Sequence, residues 1–405
     1  MTIRPWPQGS SSTSIAVLML AVSVAYIERT AISHAMPFIF AETSFSKSEA
    51  GWILSSFGFG YVVSLPLSGW IIRKLGYSRT LRWLSLGWLV AAVGLSNATD
   101  YRWMVIVRFA LGLFEGPLFP LFVSWISMTN RTESRPMAIG TIEACSYLGM
   151  ALAGPIMVSI GQVAGWRLGY TILVGIALIV WLASYLLVEP TRPLEEAVLS
   201  EGVTAGKRFF SVSWSILFIA AGFLLYNTAK SFYSTWFPTV LVQDFHFTSI
   251  DAAKVTFIQS MAAPAASLLA AAVSVSLLRS GLPLTFSRCL PLTAGLTVGA
   301  SIVMSQWLPG SAAVISVLAF VGLISTSALI WNSVPDNVEP TQAGTTAGWV
   351  NAIANIGSIV SPIVVGQMME SSRNYVLTFV AVVCVLAIPM FVLAYVSTAT
   401  SLVAK

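Results

Sequence analysis

Six ionisable side chains stand inside long apolar runs: Glu28 and Arg29 in the first, Arg108 and Glu115 in the fourth, Glu143 in the fifth and Lys230 in the seventh. Each costs about 3 kcal/mol to place at the centre of a bilayer, so each must face a cavity or an opposite charge. One use is structural: three cations and three anions can form ion pairs between helices, although a buried pair is a poor source of stability. The other is a site for a charged solute and a proton at the membrane midplane. Arg108, Gly112 and Glu115 share one helix face at i, i+4 and i+7, but the two charges lie ~10 Å apart along the axis. They cannot meet each other, so each needs a partner elsewhere. Arg29 shares a face with Tyr26 and Ser33, and Lys230 with Tyr226, Tyr233 and Phe237. Aromatic hydroxyls beside a cation suit an organic acid, which needs one charge contact and flat apolar walls. The same aromatics also fit simple packing. His34, one turn beyond Arg29, reads as an interface residue.

The elements that carry these residues are membrane spans. Of the 405 residues, 56% are hydrophobic and 9% charged, against about 25% charged in a soluble domain. Apolar runs fall at 14–40, 50–72, 79–97, 102–128, 136–160, 167–188, 211–240, 252–278, 285–307, 311–334, 343–369 and 375–397, which is twelve. Each is long enough to cross ~30 Å of hydrocarbon. The first run carries Glu28 and Arg29 at its centre and is too long for a cleaved signal. The longest polar stretch, 189–210, divides six spans from six, as in a duplicated transporter. This organisation predicts an N-terminal bundle over 1–188, a cytoplasmic linker over 189–210 and a C-terminal bundle over 211–405. With the N-terminus inside, thirteen Lys and Arg residues fall on the cytoplasmic side and five outside, which predicts both termini in the cytoplasm. The net charge of +5 sits in short loops and makes no nucleic-acid face. Cys145, Cys289 and Cys384 are scattered in apolar runs and read as packing residues.

The two halves echo each other. Gly140, Gly149 and Pro155 of the fifth span match Gly348, Gly357 and Pro362 of the eleventh, and both glycine pairs are nine apart. Small residues at such spacing let helices approach closely. Five longer stretches carry a resemblance: YIERTAIS (26–33), GWILSSFGFGYVVSLPLSGW (51–70), RFALGLFEGPLFPLFVSW (108–125), YNTAKSFYSTWFPTVL (226–241) and GWVNAIANIGSIVSPIVVG (348–366). On these the chain resembles the major facilitator superfamily over nearly its whole length. Within it the chain looks like the anion:cation symporter family of bacterial sugar-acid symporters, vesicular glutamate transporters and sialin.

The resemblance implies an all-α membrane protein of twelve transmembrane helices, in two six-helix bundles related by a pseudo-two-fold axis and rocking about a central site. It implies that Arg29 grips a substrate carboxylate, that Tyr61, Trp331 and Asn351 line the same pocket, and that Glu28 and Glu115 carry protons. Tyr26 and Lys230 join the pocket, and Arg108 adds a cavity charge. Three departures stand out. The loop after the second span reads GWIIRKLG (69–76), with Gly69, Gly76 and the following Arg79 in place but Arg73 where the family has Asp, so the gating contacts differ. Ser146 stands where sugar-acid carriers have Gln, which weakens the case for a polyhydroxylated substrate. Glu143, one turn before Ser146, is a charge the pattern does not contain; it suits a cation partner or a second proton.

The expected function is proton-coupled symport of an organic carboxylate anion by alternating access, in the inner membrane, by a monomer whose partners are the substrate, protons and lipid. No cofactor or metal is expected. A drug/proton antiporter is a second reading, supported by the fifth-span glycines but opposed by three interior cations that suit an anion. An anion exchanger is a third, because adjacent Glu28 and Arg29 could neutralise partners without moving protons. An enzyme is excluded by the want of any Ser-His-Asp, metal or phosphate-loop constellation.

Overall fold

The computed structural model describes residues 12–129, 135–188, 213–338 and 343–403. All regular structure among them is helical. The linker expected over 189–210 lies outside the described residues. Two compact units are present: residues 1–43 with 56–207, and residues 44–55 with 208–405.

The first unit begins with α1 (Ser12–Glu42). Helix α2 (Lys47–Ser64) follows, its first nine residues belonging to the second unit and the rest to the first. Then come α3 (Ser68–Leu75), α4 (Tyr77–Ser96), α5 (Tyr101–Glu115), α6 (Leu118–Thr129), α7 (Arg135–Ala164) and α8 (Trp166–Leu186). The second unit holds α9 (Trp214–Thr235), α10 (Phe237–Gln243), α11 (Ser249–Arg279), α12 (Leu284–Ala300), α13 (Ala312–Ser325), α14 (Ser327–Asn337), α15 (Ala343–Met369) and α16 (Arg373–Val403).

Five expected spans, the second, fourth, seventh, ninth and tenth, are each built from two or more helical pieces, and in the first three of these prolines mark the breaks. Pro66 sits in a 3-10 turn between α2 and α3, Pro117 between α5 and α6, and Pro238 in the first turn of α10. A ring nitrogen cannot donate to the carbonyl four residues back, so the ladder restarts at each one. Eleven helical segments are long and apolar enough to cross a membrane. The third expected span is the 20-residue α4, which falls outside those eleven because Arg79, Arg82 and several hydroxyl residues dilute its apolar content. Apolar side chains cover the exterior: Leu268 and Leu269 of α11 are 72% and 67% exposed, a surface that hydrocarbon solvates and water does not.

The glycine echo has a structural counterpart at one position of each pair. A Cβ on Gly149 would stand 2.2 Å from the Ser23 carbonyl oxygen of α1, and one on Gly357 would stand 2.3 Å from the Leu224 carbonyl oxygen of α9. Each glycine therefore permits backbone-to-backbone contact of the fifth span with the first span of its own unit. Gly348 meets nothing, and the side-chain surroundings of position 140 lie outside the description.

Candidate functional site

The first unit gathers its charges around Arg29. One face of α1 presents Arg29, whose Nη1 lies 3.4 Å from Glu115 Oε1 of α5. The guanidinium carbon sits 4.7 Å from the centre of the Phe57 ring, 5.2 Å from Tyr61 and 5.4 Å from Tyr26. Three aromatic faces thus hold a cation whose plane stacks well on them. Arg29 keeps 28% of its side chain exposed while Glu115 keeps 1%, so the cation has an open side and the anion does not. Glu115 Oε2 is buried without a protein hydrogen bond.

Arg108 completes the arrangement from behind. Its Nη1 donates to the Arg29 backbone carbonyl at 3.3 Å, and its guanidinium lies 5.0 Å from the same Phe57 ring. One ring therefore serves two arginines. Gly112 makes this possible, since a Cβ there would stand 2.0 Å from the Phe57 carbonyl oxygen. The separation of Arg108 from Glu115 along α5 is resolved as the sequence requires: both turn to α1, one to the Arg29 side chain and the other to its backbone.

Glu28 takes a different direction from its neighbour. Consecutive helical residues point ~100° apart, and Glu28 enters the bundle interior, 2% exposed. Neither of its carboxyl oxygens has a protein hydrogen bond. A narrow pocket with room for about one water is lined by Tyr26, Tyr61, Glu115 and Ser146, among apolar residues that include Phe119 and Ile142. Ser146 donates to the Glu143 carbonyl at 2.6 Å. Glu143 itself is exposed on α7, within electrostatic reach of Tyr26. His34 is buried.

In the second unit Lys230 is half-buried on α9, where Tyr226, four residues before it, and Tyr233, three after, are buried. Trp331 of α14 packs edge-on against Phe223, with ring centres 4.9 Å apart, and is 41% exposed. Asn351 on α15 receives two hydrogen bonds from Asn355 Nδ2, at 2.8 Å to its backbone oxygen and 3.0 Å to its side-chain oxygen. The gating loop expected over 69–76 is mostly helical: Gly69 and Arg73 lie on α3 and Arg79 on α4. Gly69, Arg73 and Arg79 are exposed, and Gly76 turns the chain at φ +76° between α3 and α4.

Sequence reasoning missed five residues, two of them an ion pair outside the site. Phe57 lies one turn before Tyr61 on α2, a spacing that was visible. Asn355 lies one turn after Asn351 and was equally visible. Tyr170 of α8, 1% exposed with its hydroxyl unpaired within the protein, stands alone in an apolar run. The pair Arg288 and Asp336, at 2.8 Å, joins residues 48 apart and left no local signal.

Comparison with known proteins fits these observations. A hexuronate transporter of Bacillus subtilis is 26% identical over 379 residues, covering 89% of this chain and 88% of that protein. A D-galactonate transporter of Escherichia coli is 23% identical over 382 residues, covering 88% and 89%. The fold matches that of a bacterial homologue of the human lysosomal transporter Spinster in an inward-facing, occupied conformation, with a TM-score of 0.77 at 16% identity over 96% of this chain and 97% of that one. It also matches a D-xylose–proton symporter, with a TM-score of 0.73 at 15% identity over 95% and 97%. The family model of the Major Facilitator Superfamily matches residues 18–362, most of the chain, and the protein is therefore a multi-pass membrane transporter of the Major Facilitator Superfamily.

Proposed function

We propose that the protein takes up an organic carboxylate anion together with protons, by alternating access, through a site centred on Arg29. The contact between Arg29 and Glu115 carries this reading. A half-exposed guanidinium with three aromatic walls offers a substrate carboxylate a charge and flat apolar surfaces. It already holds one carboxylate, that of Glu115. Two anions compete for one cation, so protonating Glu115 releases Arg29 to the substrate and links proton binding to anion binding.

The same reading gives the remaining residues their roles. Tyr26, Tyr61 and Ser146 are substrate-binding residues beside Arg29 on the first unit; on the second, Lys230, Trp331 and Asn351 are the substrate-binding residues that the family resemblance implies. Glu28 is a second proton carrier behind the site, and Arg108 is a fixed charge that holds the Arg29 backbone. Glu143, exposed near Tyr26, either meets a cation or carries a further proton. The GWIIRKLG loop with Arg73 forms a gate without the family's aspartate. Relatives named for sugar acids support the carboxylate class, while Ser146 favours a less hydroxylated acid. The excess of Lys and Arg on one side of the spans supports both termini in the cytoplasm and an inner-membrane location.

Purified protein in liposomes with an imposed inward proton gradient tests the reading. Sugar acids, dicarboxylates and aromatic acids should be offered in turn. Accumulation of an acid by wild type, and its loss in Arg29→Ala, is the expected result. Uptake of cationic dyes but of no acid would favour an antiporter instead. Acid exchange that no gradient can drive uphill would favour an exchanger.

A further inference from the structure

Behind Arg29 lies a second, closed cluster. Glu28 of α1, Arg108 of α5 and Tyr170 of α8 are 2%, 2% and 1% exposed. Tyr170 is within electrostatic reach of both Glu28 and Arg108. Its ring is pinned edge-on against Trp166, with centres 6.1 Å apart. Both Glu28 oxygens, Arg108 Nε and the Tyr170 hydroxyl have no protein hydrogen-bond partner. Leaving that many polar atoms unpaired in one place is costly, and clusters of this kind mark functional sites more often than packing errors.

The chemistry of the unpaired atoms is complementary. Arg108 Nε–H is a donor only, the Glu28 carboxylate is an acceptor only, and a phenol is both. We infer that Tyr170 is a positioning residue for proton coupling, its hydroxyl linking Arg108 to Glu28 in one chain through bridging water. In that chain the donor sense runs from Arg108 Nε–H, by way of water, to the Tyr170 oxygen, and from the Tyr170 O–H, likewise, to the ionised Glu28. Arg108 Nη1 meanwhile holds the Arg29 carbonyl at 3.3 Å. The ionisation of Glu28 is thereby connected, through one phenol and one guanidinium, to the backbone that carries the proposed substrate arginine. Two further charges are within electrostatic reach of the cluster: Glu115 of α5, against Glu28 and Arg108, and Arg29 of α1, against Arg108; the packed helices also carry His34 on α1, Tyr61 on α2 and Glu143 on α7. On α4 the ionisable side chains are Tyr77, Arg79 and Arg82, near its start.

The inference rests on the proposed role of Glu28, and its test needs no substrate. Infrared difference spectra of the purified full chain, titrated with acid and base, report the carboxyl stretch of Glu28 as the band missing from Glu28→Gln. Tyr170→Phe removes only the hydroxyl and keeps the ring against Trp166. It should move the titration midpoint of that band to higher pH by about one unit, because the carboxylate loses a donor. In liposomes the pH midpoint of acid counterflow should shift likewise in Tyr170→Phe, and Tyr170→Phe should add nothing in a Glu28→Gln background. A band midpoint unchanged by Tyr170→Phe in a protein of wild-type thermal stability overturns the inference, as does the absence of any titrating Glu28 band between about pH 4 and 10. Should Tyr170→Phe prove unstable, Arg108→Lys, which keeps the charge but removes the Nε–H, must shift the same band or the chain is wrong. A chain that transports no acid yet shows the infrared shift would refute the uptake reading and leave this one standing.

Discussion

Two charge clusters, one in each unit, are partnered in opposite ways. In the first, the Arg29–Glu115 contact is long at 3.4 Å, and Glu28, Arg108 and Glu115 all retain buried atoms without protein partners. In the second, Arg288 holds Asp336 through Nε at 2.8 Å and Nη2 at 3.4 Å, and donates through Nη1 to Ser274 at 3.1 Å. Tyr395 donates to the same Asp336 oxygen, at 3.0 Å. That network ties α11, α12, α14 and α16 together near their ends with its donors and acceptors matched. A matched network holds one geometry. An under-partnered one can accept a proton, a water or a substrate at little cost, since it has less to give up. The contrast agrees with the proposed role of the Arg29 cluster in transport and assigns anchorage to the Arg288 cluster.

Substitutions can break this contrast. The largest effect is expected at Arg29. Arg29→Lys keeps the charge but loses the flat cation against Phe57, Tyr61 and Tyr26, and should raise the KM for the transported acid about a hundredfold, roughly 3 kcal/mol, with unfolding temperature unchanged. Arg288→Ala should do the reverse. It strands a mostly buried aspartate, at about 2–3 kcal/mol, and should lower the unfolding temperature by roughly 5–10 °C while the KM of the surviving protein stays near wild type. If Arg288→Ala instead alters KM and spares stability, the division between chemistry and anchorage fails. Phe57→Leu removes a ring shared by two guanidinium groups and should raise KM about tenfold, read in the same uptake assay.

The smallest effect is expected at Asp244, outside the spans. Burial raises its carboxyl above the usual range, and Lys47, Arg373 and His246 only partly offset this. A carboxyl raised in the folded state favours folding at low pH, and that contribution is lost as pH rises through its folded value. Asp244→Asn should therefore raise the unfolding temperature at pH 8 by about 1–2 °C and leave it unchanged at pH 4. An effect of equal size at both pH values would show that ionisation is not the cause.

Much of the molecule was legible from its residues. Hydropathy located the spans, and the cost of a charge in hydrocarbon singled out Glu28, Arg29, Arg108 and Glu115. Their common location follows from that cost, because only mutual contact or a cavity relieves it. The helical period alone showed that Arg108 and Glu115 must turn to another element. Which element it was could not be read, since the choice depends on the crossing of α1 with α5 and not on spacing. Glu28 and Arg29 are adjacent in sequence, and only the helical rotation between them separates an open site from a closed cluster. Tyr170 was illegible because a lone tyrosine in an apolar run is indistinguishable from packing. Arg288 and Asp336 were illegible because each sits near a helix end, where a charge is ordinary. The α4 span was recognised from its length although Arg79 and Arg82 weaken its apolar character.

The central claim is that Glu115 and the substrate share Arg29 and that a proton decides between them. Glu115→Gln tests it most directly, as an uncharged near-isostere that leaves Arg29 permanently available. In liposomes this variant should exchange labelled acid across the membrane in counterflow at a rate near wild type, yet accumulate none against its gradient when a proton gradient is imposed. Concentrative uptake by Glu115→Gln comparable to wild type would contradict the claim.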